Sequence, residues 1–290
     1  MVSPGIPGLG IFGYTSSGRN NSTMSTEKIP PETCSPFGSY PNPFRLTVED
    51  RDTFHPVVKF PVTPTVFDFT KPNSDTVGMA THEQRQAAAA GGRLEDILPP
   101  DLCQRVQAIS SSYAIGRYDE PRAGLYESDL FDDTANSIEN YTGRRNLHVG
   151  IDLGGPVGTP VHAFAPGRVH AVGYNAALGD YGNVIVVAHD LLHNNNNQRT
   201  MKTVCYALYG HLDSAVVHNF RVGDPVQAGQ VLGAMGAIHE NGGWWAPHVH
   251  FQLSVQVPVT HDLPGAVAAA DRSRALYEYP DPRWVLGELY

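Results

Sequence analysis

The sequence predicts a mainly β protein with additional helices: an antiparallel β-sheet domain preceded by a mixed α/β N-terminal region. Three observations predict this. After about residue 141 the chain breaks into short β-branched runs, "TPVHAFAPGRVHAVGYN", "GNVIVVAHD", "TVCYALYGHL" and "HVHFQLSV", separated by Gly, Pro, Asn and Asp. The 29 glycines and 23 prolines among 290 residues supply the many turns such a fold needs. Before residue 141, helically spaced stretches alternate with extended pieces that proline interrupts.

Residues 1–43 are rich in Gly, Ser, Pro and Asn and read as a disordered lead-in. Residues 44–140 form the mixed region. "VVKFPVTPTVFDFT" holds short extended pieces, and "THEQRQAAAA" favours helix, with Thr81 as a cap and Gly91-Gly92 as its end. In "DLCQRVQAISSSYAI", Asp101 is an N-cap and Leu102, Val106 and Ile109 keep helical spacing. "IGRYDEPRAGLYESDLF" is a turn-rich connector. Its charges, Arg117, Asp119, Glu120 and Arg122, read as a solvated surface or as the border of a cleft.

Residues 141–256 form the β domain, with turns near Pro166-Gly167 and Gly179-Asp180 and a polar loop, "HNNNNQR", inside a hairpin. Residues 257–290 form a C-terminal helix, ending near Tyr277, and a tail that turns at Pro280 and Pro282.

A formal net charge of −9 and the lack of a basic stripe argue against nucleic acid as a partner, but not against a peptide or small molecule. No apolar run approaches the roughly 18 residues of a membrane span, and the first residues make a poor secretory signal. The expected location is therefore the cytoplasm. Cys34, Cys103 and Cys205 form no CxxC pair and no disulfide framework.

The chemistry begins at "APHVHFQL". Strand alternation puts His248, His250 and Gln252 on one face and Val249, Phe251 and Leu253 on the other, towards the core. Two imidazoles on one rigid face are either a pair of metal ligands or a ligand beside a catalytic base. "NLHVGIDLGG" adds His148 and Asp152, four residues apart. Four residues of straight strand span roughly 13 Å, whereas zinc ligands lie about 2 Å from the ion. The segment must therefore bend, and Gly150 between them is suited to allow it. "LYGHL" adds His211 at a strand end. His82, His189, His218, His239 and His261 have no surroundings that ask for metal.

"HVGID", "YGHL" and "HVHF", in that order, resemble the LytM/lysostaphin-type zinc metallopeptidases, the M23 peptidase family. The pattern is H-x-x-x-D, a downstream histidine, then H-x-H. "GTPVHAFAPGRVHAVG" and "VGDPVQAGQVLGAMG" are similar to its strand–turn pieces. The resemblance covers about residues 141–256. It implies that His148, Asp152 and His250 ligate Zn²⁺, and that His211 and His248 are catalytic imidazoles acting on water and the tetrahedral intermediate. Where family members carry small residues before H-x-H, this chain has "HENGGWWAPHVHF", so Trp244 and Trp245 make a bulky approach.

The upstream connector is also similar to peptidase-like domains fused between kinase-like and aminotransferase domains. The expected function is zinc-dependent hydrolysis of peptide or peptidoglycan-like amide bonds. The alternatives are a non-hydrolytic zinc-binding module that binds or regulates a peptide or small-molecule ligand, and a hydrolase of small amides or esters.

Overall fold

The computed structural model describes residues 40–70, 83, 86, 87, 90, 100, 103, 104, 108, 110–122, 124–126, 128–194, 200–243 and 245–290. Most of the lead-in, most of the helical readings that start at Thr81 and Asp101, and Trp244 lie outside the described residues.

The backbone of the fold is one eight-stranded sheet. Its strands are β1 (Thr65–Val66), β2 (Ala114–Gly116), β3 (Ile151–Gly154), β4 (Gly167–Asn175), β5 (Gly182–Asn194), β6 (Thr200–Leu212), β7 (Pro225–Val226) and β8 (His248–Ser254), in the order β1-β2-β3-β8-β6-β5-β4-β7. Every pairing is antiparallel except β1 with β2. The predicted antiparallel β architecture is therefore present. The polar-loop hairpin is β5–β6, whose register runs out to Asn194 opposite Thr200; residues 195–199 lie outside the described residues.

Alternation along β8 is as predicted. Val249, Phe251 and Leu253 are fully buried, packed in one core with Ile151, Leu153, Phe164 and Tyr209. The opposite face of β8 is covered as well. Gln252 Nε2 donates to the Pro264 carbonyl, and the Tyr181 hydroxyl donates to the Leu263 carbonyl, so the loop after β8 folds back over the histidine face. At the centre of the sheet the run Val184–Val187 is buried on both faces, which explains its unbroken apolar character.

The mixed N-terminal region shares this sheet. β2 pairs with β3, setting Gly116 opposite Asp152, and Phe44, Leu46, Val57, Ile115 and Tyr118 join the same core. Pairing across the sequence boundary at residues 140/141 is thus direct.

Residues 147–154 change sheets midway. Leu147–His148 is the middle strand of a three-stranded sheet, with His148 between Glu120 and Ala266. The chain then leaves at Val149-Gly150 and enters the main sheet as β3. The bend that the four-residue spacing required is present, but the glycine is needed for another reason than backbone freedom. Its backbone is not left-handed. A Cβ at residue 150 would lie 2.5 Å from Cε1 and Nε2 of His250, so the His250 ring leaves no room for a side chain.

The tail forms two short helices, Arg272–Glu278 and Arg283–Leu286. They are tied to the body by hydrogen bonds from the Tyr141 hydroxyl to Glu278 and from the Tyr118 hydroxyl to the Tyr279 carbonyl, both 2.7 Å.

Candidate active site

β3 and β8 are neighbours, and their register sets His250 directly opposite Asp152. His148 reaches the same point from the adjoining small sheet. His250 Nδ1 lies 3.1 Å and His148 Nε2 lies 3.3 Å from Asp152 Oδ1, and the two nitrogens are 3.0 Å apart. Ligands about 2 Å from a tetrahedral ion sit about 3.3 Å from one another, so this spacing suits one zinc-sized cation. Among the described residues, these three form the group able to hold a metal ion.

The tautomers of both imidazoles follow from their outer partners. His148 Nδ1 is 2.8 Å from the Arg117 carbonyl, which can only accept, so Nδ1 carries the proton and Nε2 presents its lone pair inward. Gln252 donates to Pro264 through Nε2, so its Oε1 is the acceptor for His250 Nε2 at 2.9 Å, and His250 Nδ1 is the bare nitrogen. Two lone pairs and a carboxylate oxygen therefore face one another inside the protein. That arrangement repels itself unless a cation lies among them.

The other two predicted imidazoles border the same place. The His248 and His211 ring centroids are 4.4 Å apart, and His248 Nε2 is 3.8 Å from Asp152 Oδ1. Each donates its Nδ1 proton to a backbone carbonyl, His211 to Asn241 at 2.7 Å and His248 to Ala246 at 2.6 Å, which leaves each Nε2 as an acceptor. His211 sits in a β-bulge, where Gly210 and His211 oppose the single residue Val184, and its φ is +61°. A left-handed backbone at a non-glycine residue is strained; here it turns the ring out of the strand and towards His248.

Burial, followed by the nearby Arg122 charge, pushes the pKa of His148 down to about 4. Burial also lowers His211 and His248. Burial pushes the Asp152 carboxyl up, but His148 and Arg122 outweigh it and hold the group well below the usual carboxylate range. At neutral pH His148, His211 and His248 are thus neutral beside the Asp152 carboxylate.

All five residues singled out in the sequence come together. The remaining described histidines do not join them; His189, for instance, is a core residue held by Tyr209 and the Ala165 carbonyl. Three other contributors were not singled out for the site. Tyr181 stacks beside His250 at 5.1 Å, and Asn241 orients His211. Arg122 forms a 2.6 Å ion pair with Asp152 Oδ2. The solvated-surface reading of the connector fails at Glu120 and Arg122, which are 3% and 5% exposed; the cleft-border reading describes them better. Beside the histidines opens a cavity of about 290 Å³ with Phe69, Tyr126, Phe131 and Trp245 among its walls. Trp245 is buried and packs edge-on against Tyr126.

Residues 146–260 match the family model described as Peptidase family M23. This stretch is an M23 domain. Lysostaphin of Staphylococcus simulans is 35% identical over 109 residues, which is 38% of this chain and 18% of lysostaphin. The peptidoglycan DD-endopeptidase ShyC of Vibrio cholerae is 29% identical over 140 residues, 47% of this chain and 28% of ShyC. The chain thus spans between 18% and 28% of the length of these two relatives. Among solved structures, the catalytic domain of the antimicrobial peptidase lysostaphin from S. simulans matches 64% of this chain and 97% of its own, with 22% identity and a TM-score of 0.35. No helix among the described residues is long and apolar enough to cross a membrane. The expected cytoplasmic location finds no support in these relatives.

The cavity beside the M23 histidines also holds Asp180 and Asp262. Burial, then the Asp180 charge, pushes the Asp262 carboxyl up to about 7. The folded chain keeps a proton there that the unfolded chain, with an ordinary carboxyl pKa of 3.8, releases. This contribution to stability is complete below that value and is lost as pH rises through about 7. Asp262→Asn, which carries no charge at any pH, should therefore be more stable than the wild type at pH 8 by roughly 1–2 kcal/mol. The advantage should vanish near pH 4. Urea midpoints at the two pH values test this, and equal midpoints at pH 8 would refute it.

Proposed function

We propose that the M23 domain is a zinc-dependent metalloendopeptidase that hydrolyses peptide or peptidoglycan-like amide bonds. His148, Asp152 and His250 are its metal ligands. The observation that carries this reading is the convergence of two carbonyl- and amide-locked imidazole lone pairs on one carboxylate oxygen, in a buried site. Three ligands leave a fourth position open, which is the arrangement of catalytic rather than structural zinc. The chemistry zinc supplies in such a site is Lewis acidity, which polarises the scissile carbonyl and acidifies a water.

The protein's own groups do the rest. His211 and His248 are neutral, and each holds an unprotonated Nε2 beside the ligand cluster, fixed by a backbone carbonyl on Nδ1. Either can accept a proton from the attacking water and return it to the leaving amine. Their backbone tethers remove the rotational freedom that a free imidazole would lose in the transition state. Tyr126 and Trp245 give the cavity beside these imidazoles apolar aromatic walls against which a substrate can pack. The similarity to ShyC, a peptidoglycan DD-endopeptidase, supports a substrate derived from peptidoglycan.

Elemental analysis of the purified chain should find about one zinc per molecule. Incubation with muropeptides and glycine-rich peptides, followed by mass spectrometry, should show cleavage products that vanish when a chelator strips the metal and return when zinc is restored. A zinc-loaded chain that binds these peptides without cutting them would support the non-hydrolytic binding module instead. Undiminished cleavage by the metal-free chain would refute the proposal outright.

A further inference from the structure

Arg122 lies 24 residues before the start of the M23 match, in the connector whose charges read as surface or cleft border. Its side chain is nevertheless buried and reaches Asp152 Oδ2 at 2.6 Å, while Asp152 Oδ1 faces His148 and His250. The guanidinium is fully engaged around that contact. Nε donates to Glu120 Oε2 at 3.1 Å, Nη1 also donates to the Tyr126 hydroxyl at 3.1 Å, and the Phe69 ring packs against it at 4.8 Å. Glu120 is itself held by Arg117 Nε and the Phe69 backbone N–H. The adjoining strand leaves space for the pair, since a Cβ on Gly116 would come within 2.6 Å of Arg122 Nη2 and 2.8 Å of Asp152 Oδ2. The same connector supplies the Arg117 carbonyl that fixes His148.

We infer that Arg122 is a positioning residue for the metal centre. It occupies one oxygen of Asp152, so that the carboxylate can bind a cation only through the other, and it makes the connector over residues 117–122 an integral part of the M23 site. This rests on the ligand assignment proposed above. Two effects oppose each other. A cation near a metal repels it, whereas a fixed carboxylate binds more tightly than a mobile one. Glu120 neutralises Arg122 at 3.1 Å, which cancels most of the repulsion and leaves orientation as the larger effect.

The test measures zinc affinity of the full chain by competition with a chromophoric chelator, for the wild type, Arg122→Met and Arg122→Lys. Circular dichroism of the metal-free proteins reports folding. Arg122→Met should bind zinc about 10–100-fold more weakly, the usual consequence of losing a partner behind a ligand. Arg122→Lys, which can contact Asp152 but not hold the whole network, should fall between. Cobalt(II) loaded into Arg122→Met should show a weaker visible band than in the wild type as Asp152 closes on the ion through both oxygens. If Arg122→Met does not fold, Arg122→Lys decides. Wild-type affinity in a folded variant, or tighter binding, would overturn the inference and leave the ligand assignment standing. A wild-type chain that binds no zinc would overturn both.

Discussion

Replacing His148 by alanine is expected to abolish zinc binding and hydrolysis together. The imidazole is 1% exposed, and its Nε2 faces His250 Nδ1 at 3.0 Å and Asp152 Oδ1 at 3.3 Å. Without it two ligand atoms remain, too few to hold zinc against water and free chelators. The fold should survive. The variant loses one buried hydrogen bond, to the Arg117 carbonyl, at a cost on the order of 1–3 kcal/mol, and the alternating core of β8 is untouched. Zinc per chain, measured after gel filtration, should drop from about one to near zero, with peptide cleavage at the level of the stripped protein. Zinc retained at full stoichiometry in a folded His148→Ala protein would mean that the ligand set is wrong.

The second large effect separates catalysis from metal binding. His211→Asn should keep zinc and lose turnover. Asparagine tolerates a left-handed backbone such as the φ of +61° at this position, and its amide can still donate towards the Asn241 carbonyl. The basic nitrogen is gone, however, so proton transfer at that point should cost about 10²–10⁴-fold in kcat. KM should change less than kcat, because the aromatic cavity walls Phe69, Tyr126, Phe131 and Trp245 are untouched. Stopped-time assays over a substrate series, with zinc content measured on the same sample, resolve the two parameters. Unchanged kcat with full zinc would assign proton transfer to His248 alone.

Much of this site is legible in the residues themselves. "HVHFQL" places both histidines on one face because strand side chains alternate, and the structure keeps that arrangement, with Val249, Phe251 and Leu253 in the core. The spacing of His148 and Asp152 demanded a bend because a straight strand is too long. The chain does bend, by passing from one sheet to another. The connector was harder. "GRYDEPRAGLY" has the charge density of a solvated surface, and burial of Glu120 and Arg122 depends on partners up to 51 residues away along the chain. Composition carries no record of such partners.

The order of residues alone carries local and periodic information. It points to the β texture after residue 141, the hairpin around the asparagine run, the two-faced strand from His248, and a candidate set of metal and proton-transfer residues. The folded packing fixes which nitrogen of each imidazole faces inward. A tautomer is set by the carbonyl on its far side, and those carbonyls belong to Arg117, Asn241 and Ala246 and to the Gln252 amide. It also decided that Gly150 must be small, because the His250 ring from another strand presses on it. The Gly150–His250 contact joins residues 100 apart, and the Arg117 and Asn241 carbonyls lie about 30 residues from the histidines they orient. Such contacts exist only once the sheet has closed, because steric exclusion and hydrogen-bond direction act through space and not along the chain.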